Sequence, residues 1–129
     1  MTSGEGNILF GKNAGCANTT ADGNIFLGTY AGSGVTTNGE NVIIGSGAGK
    51  LGNHYISVVI GHDAGRGTAG CWISENVFIG CKSGYSIQTG SLNAFVGGSS
   101  GYLVTTGTCN AILGSEGGSQ ITSGSQNTI

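Results

Sequence analysis

The chain repeats itself about every 17 residues, and this period limits the possible folds more than any other property of the sequence. A short apolar run between an amide and a glycine recurs as Asn7-Ile-Leu-Phe-Gly11, Asn24-Ile-Phe-Leu-Gly28, Asn41-Val-Ile-Ile-Gly45, Ser57-Val-Val-Ile-Gly61, Asn76-Val-Phe-Ile-Gly80, Asn93-Ala-Phe-Val-Gly97 and Asn110-Ala-Ile-Leu-Gly114. A truncated copy begins at Asn127, and the starts are separated by 17, 17, 16, 19, 17, 17 and 17 residues. Independent strands and loops would not hold such a spacing. A helix-hairpin repeat needs about 33 residues, so this unit is too short for one. It is long enough for one coil of a parallel β-solenoid, with two short strands joined by tight corners. Residues 1–129 are therefore expected to form one all-β repeat domain of about seven coils.

Stacking such coils places like residues over one another at about 4.7 to 4.9 Å, the spacing of hydrogen-bonded strands. Asn7, Asn24, Asn41, Asn76, Asn93 and Asn110 would then form an amide ladder that satisfies backbone groups at a corner. Gly11, Gly28, Gly45, Gly61, Gly80, Gly97 and Gly114 would occupy corners where a Cβ is not tolerated. A small residue followed by glycine recurs next, from Ala14-Gly15 to Gly117-Gly118. After it comes a polar pair, as in Thr19-Thr20, Thr36-Thr37, Gln88-Thr89 and Thr105-Thr106, preceded in most copies by an apolar residue such as Val35, Ile87, Val104 or Ile121. This segment reads as a second, more exposed strand.

Side chains alternate between the faces of a strand, so Val42 and Ile44 point one way and Ile43 the other. Both faces are apolar in nearly every copy. The second positions, Leu9, Phe26, Ile43, Val59, Phe78, Phe95 and Ile112, are expected to form the stripe left in water by a lone chain. Exposed apolar stripes of that size mark interfaces. Burying each such side chain contributes about 1.5 to 3 kcal/mol, which favours a closed homo-oligomer around an apolar axis.

Composition removes several function classes. The 28 glycines and 8% charged residues would suit a flexible linker, but 37% of the residues are hydrophobic and arrive in register, so a core is specified. Four scattered cations, Lys12, Lys50, Arg66 and Lys82, provide no basic stripe for nucleic acid. No apolar run approaches the roughly 18 residues of a membrane span, and Met1 to Ser3 leads into the repeat without a signal-peptide pattern. Cys16, Cys71, Cys81 and Cys109 occupy four different repeat positions without a Cys-x-x-Cys, so free, partly buried thiols are expected and zinc is not. Glu5, Asp22, Glu40, Asp63, Glu75 and Glu116 are isolated, although Asp22 and Glu40 occupy nearly equivalent corners; no glycosidase-like carboxylate pair stands out. No catalytic, cofactor-binding or metal-ligating residue is assigned, and the chain does not read as an enzyme.

Irregularity gathers around the units of 16 and 19 residues, which contain His54-Tyr55, His62-Asp63 and Cys71-Trp72. The segment from Arg66 to Glu75 is expected to be an extended corner projecting from the rod, with Tyr55, Arg66 and Trp72 as candidate ligand contacts.

The Asn-x-Val-x-Ile-Gly pattern followed by small residues and glycine resembles the head repeats of trimeric autotransporter adhesins. The fuller unit from Asn24 to Gly39 is similar to repeats of bacteriophage tail-fibre proteins. The resemblance covers Gly6 to Ile129 and implies a β-roll whose apolar strand faces a trimer axis, on a virion or a bacterial surface. It departs from the adhesin heads in its longer unit, and it includes no recognisable cap, stalk or chaperone domain. The expected role is a rigid trimeric shaft for attachment. The alternatives are a glycan-binding module and a filament of self-stacking chains. An ice-binding face is disfavoured because the Thr columns break at Gly52 to Asn53 and around Thr68 to Ala69.

Overall fold

A computed structural model describes residues 4–129. Met1 to Ser3, where the sequence was read for a signal peptide, lie outside the described residues. Among the described residues, eleven strands of three residues each occur in chain order: β1 Ile8–Phe10, β2 Ile25–Leu27, β3 Val42–Ile44, β4 Asn53–Tyr55, β5 Val58–Ile60, β6 Trp72–Ser74, β7 Val77–Ile79, β8 Thr89–Ser91, β9 Ala94–Val96, β10 Thr106–Thr108 and β11 Ala111–Leu113. No helix occurs among the described residues. The apolar runs form a seven-stranded parallel sheet in the order β1-β2-β3-β5-β7-β9-β11. β4, β6, β8 and β10 form a second parallel sheet of four strands. The register is one repeat per coil, Ile8 on Ile25 and Phe26 on Ile43. The chain is a parallel β-solenoid.

The structure reverses the expected faces of the long sheet. Phe26, Ile43, Val59, Phe78, Phe95 and Ile112 are buried inside the coil, with Leu9 partly buried against them. Residues one and three of each strand point outward instead. The small-glycine corner is the physical reason. A Cβ at Gly32, Gly84 or Gly101 would come within 2.6 to 2.8 Å of the rings of Phe26, Phe78 or Phe95, so the missing side chains provide the space these rings fill. Phe78 and Phe95 also contact each other, with centroids 5.2 Å apart. A three-residue strand presents a single inward side chain, and the corner opposite it is shaped to that residue.

The second sheet also differs from the expected placement. It begins only in the third coil, and Thr19-Thr20 and Thr36-Thr37 lie in bends. β8 and β10 start at the second residue of the polar pair. Val35, Ile87 and Val104 are completely buried core residues, not members of an exposed strand. The segment from Arg66 to Glu75 does not project as a whole. β6 within it pairs with β4, Asn53 on Trp72 and Tyr55 on Ser74, and buries Ile73. Only the turn at Thr68, Ala69 and Gly70 is exposed in this stretch before Trp72. Burial of an inward isoleucine draws the longer corner back onto the rod.

Candidate functional site

The asparagine column runs along the inside of one corner. Asn24 Nδ2 donates to Asn7 Oδ1 at 3.0 Å, Asn41 to Asn24 at 2.9 Å, Asn93 to Asn76 at 3.0 Å, and Asn110 to Asn93 at 2.9 Å. The backbone N–H of each of these residues donates to the same oxygen. The amide also reaches across its own coil: Asn76 Nδ2 donates to the Gly90 carbonyl and Asn93 Nδ2 to that of Gly107. Each side chain thus ties two walls of one coil to the coil before it. At the break in the column, the Ser57 hydroxyl accepts from Asn76 N at 3.3 Å and donates to the Tyr55 carbonyl.

The corner glycines Gly11, Gly28, Gly45, Gly61, Gly80, Gly97 and Gly114 have φ between 124° and 136°. Two further left-handed columns contain other residues. Asn13, Tyr30, Asp63, Lys82, Ser99 and Glu116 form one, and Glu40, Ile56, Glu75, Leu92, Cys109 and Gln126 the other, with φ between 46° and 62°. Such a conformation costs about 1 kcal/mol or more without glycine. The cost is offset along the rod because most of these N–H groups donate to the preceding coil, Tyr30 to the Lys12 carbonyl and Glu75 to that of Tyr55, for example. Glycine fills three further places in these columns, Gly47 in the first and Gly6 and Gly23 in the second, and the equal offset from the Asn column extends that signal to the other coils.

The outer face of the seven-stranded sheet is apolar at both outward positions of every strand. One column is Ile8, Ile25, Val42, Val58, Val77, Ala94 and Ala111; the other is Phe10, Leu27, Ile44, Ile60, Ile79, Val96 and Leu113. Exposure reaches 72% at Phe10 and 74% at Leu113. The apolar face is twice as wide as the single stripe expected from sequence.

The three candidate ligand contacts do not form one constellation. Tyr55 and Trp72 are exposed on the second sheet, at the third position of β4 and the first of β6. Arg66 is engaged elsewhere: its Nη1 donates to the Tyr85 hydroxyl at 2.8 Å, and its guanidinium lies 5.3 Å from that ring's centroid. Tyr85 stacks in turn on Tyr102, with centroids 5.0 Å apart and planes 7° from parallel. Beside this stack lies an open groove of about 450 Å³, lined by Lys82, Ser99, Tyr102, Leu103, Glu116, Ser119 and Gln120. Sequence reading missed the stack, although Lys50, Arg66, Tyr85, Tyr102 and Ser119 all directly follow the glycine of the small-glycine element.

His54 is buried in the interior, and burial lowers its pKa to about 4, partly opposed by its bond to Gly65. The thiols are free, and Cys16, Cys81 and Cys109 are exposed where partial burial was expected; only Cys71 is half-buried. The Asp22 carboxylate accepts from Glu5 N at 2.7 Å. Among the described residues, no group of three or more His, Cys, Asp or Glu is arranged to hold a metal ion. The architecture defines a class, the parallel β-solenoids with an apolar outer sheet. No protein-family model, curated protein or solved structure matches the chain.

Proposed function

We propose that the chain is a structural segment of an elongated homotrimeric fibre, of the bacteriophage tail-fibre or bacterial surface-adhesin kind, acting at a virion or cell surface as a rigid attachment shaft. The observation that supports this is the uninterrupted apolar outer face of the seven-stranded sheet. The second sheet exposes polar residues such as Thr89, Thr106 and Thr108, whereas the long sheet has two apolar columns running through all seven strands. Three copies packed around an axis would remove both columns from water, at about 1.5 to 3 kcal/mol for each large side chain fully buried. The in-register stack supplies stiffness, since each coil is bonded to the next through backbone and asparagine together.

Sedimentation tests the reading. The native chain should sediment as a trimer. Ile44→Asp with Ile79→Asp places six carboxylates near the axis, two from each chain, and should give monomers that retain the strand spectrum. Ile43→Asp with Phe78→Asp strikes the coil interior and should abolish folding. A native monomer, open-ended fibres, or an intact Ile44→Asp/Ile79→Asp trimer would each overturn the proposal.

A further inference from the structure

We propose that the groove beside Tyr102 binds a neutral pyranose, whose C–H face stacks on the tyrosine ring in the place left by Ser119. The inference starts from the outer column that follows the small-glycine corner. Arg66 lies against Tyr85, and Tyr85 lies against Tyr102, their rings nearly parallel and 5.0 Å apart. That separation is close to the distance between coils, so each coil adds one layer to the stack. The next layer should come from Ser119, which ends in a hydroxyl and supplies no ring. The groove lies there, with Tyr102 and Ser119 both in its lining.

Its remaining walls select the ligand. Leu103, an exposed apolar side chain, lines the groove together with Tyr102. Around it stand one ammonium at Lys82, one carboxylate at Glu116 and one amide at Gln120. These charges cancel, which disfavours a phosphate or an acidic ligand. A wholly apolar guest would remove water from polar groups and give them no partner. A pyranose has a flat C–H face for the ring and equatorial hydroxyls that both donate and accept, so it meets both kinds of wall. None of the lining residues belongs to the apolar outer face of the long sheet. The site therefore stands independently of the trimeric reading, and the two fail in different experiments.

Saturation-transfer NMR on the 129-residue chain, with the methyl pyranosides of glucose, galactose, mannose and N-acetylglucosamine at about 10 mM, tests the site. At least one should receive saturation at its ring C–H protons, with a Kd on the order of 1 mM for one ring on one aromatic platform. Ser119→Tyr should continue the stack into the groove, keep the melting temperature of the native chain and weaken binding about tenfold or more. Tyr102→Ala should weaken it similarly. Trp72→Ser, which removes an exposed aromatic of the second sheet, should leave it unchanged. Transfer to none of the four sugars, transfer undiminished in both Tyr102→Ala and Ser119→Tyr, or loss of transfer in Trp72→Ser would overturn the proposal. Binding of phenol with no pyranoside bound would overturn the choice of ligand.

Discussion

The Nε2 of His54 lies 2.8 Å from the carbonyl oxygen of Gly65, inside the rod. A carbonyl only accepts, so the ring proton is on Nε2, and Nδ1 is left buried without a partner. Desolvation lowers the pKa from 6.5 to about 4, and the bond to Gly65 opposes this only in part. Between those values the unfolded chain binds a proton that the folded chain refuses. The histidine's contribution to stability is therefore complete above pH 6.5 and falls as pH drops toward 4, by about 3 kcal/mol in all. His54→Ile, which copies the Ile73 that pairs with it, should flatten this part of the profile. Denaturant unfolding of both proteins between pH 7 and about pH 4 checks it; equal slopes would show that His54 is not the titrating group.

Two corner glycines separate backbone strain from close packing. A Cβ at Gly61 would stand 2.5 Å from the Gly80 carbonyl oxygen, whereas one at Gly114 meets nothing within 4 Å. Their φ values, 132° and 124°, are nearly the same. Gly114→Ala should therefore cost only the conformational strain, about 1 to 3 kcal/mol. Gly61→Ala should cost at least about 2 kcal/mol more, or prevent folding. Equal melting temperatures in this 129-residue chain would mean that the coils can separate locally at little cost.

The asparagine ladder predicts a graded series at one position. Asn93→Ala leaves Asn76 Oδ1, the Asn110 backbone N–H and the Gly107 carbonyl each short of a partner. The loss should be about 2 to 4 kcal/mol. Asn93→Ser should lose less, because Ser57 shows a hydroxyl accepting from the next coil's backbone N–H. Equilibrium unfolding that ranks serine level with alanine would contradict this account of the Ser57 break.

The repeat and its register were legible because every coil restates the same short pattern, and an error in one unit is corrected by its neighbours. Which side of the long strand faces inward was not. Val42, Ile43 and Ile44 are all apolar, and the choice rests on how the Ile43 layer fits the glycine corner across the coil, a distance that residue types do not reveal. The left-handed corners at Tyr30, Lys82 and Cys109 were hidden for a different reason. Position in the stack, not intrinsic preference, sets their φ, since the hydrogen bond to the preceding coil outweighs the local strain. The Arg66–Tyr85–Tyr102 stack was readable in principle by aligning the residue after each small-glycine corner, where Ser83-Gly84-Tyr85 recurs as Ser100-Gly101-Tyr102, but only these two coils carry a ring at that place next to one another.

Every registered pair in the long sheet joins residues of adjacent repeats, Ile8 with Ile25 and Phe78 with Phe95 among them. Sequence separation between partners is thus independent of the length of the rod. In most architectures a larger sheet demands longer loops to close, and the search for partners slows with contact order. Here an added coil closes the same short loop as the one before it, so relative contact order declines as coils accumulate. Such a rod can grow by duplication of one unit without becoming harder to fold, and its length is set by copy number alone.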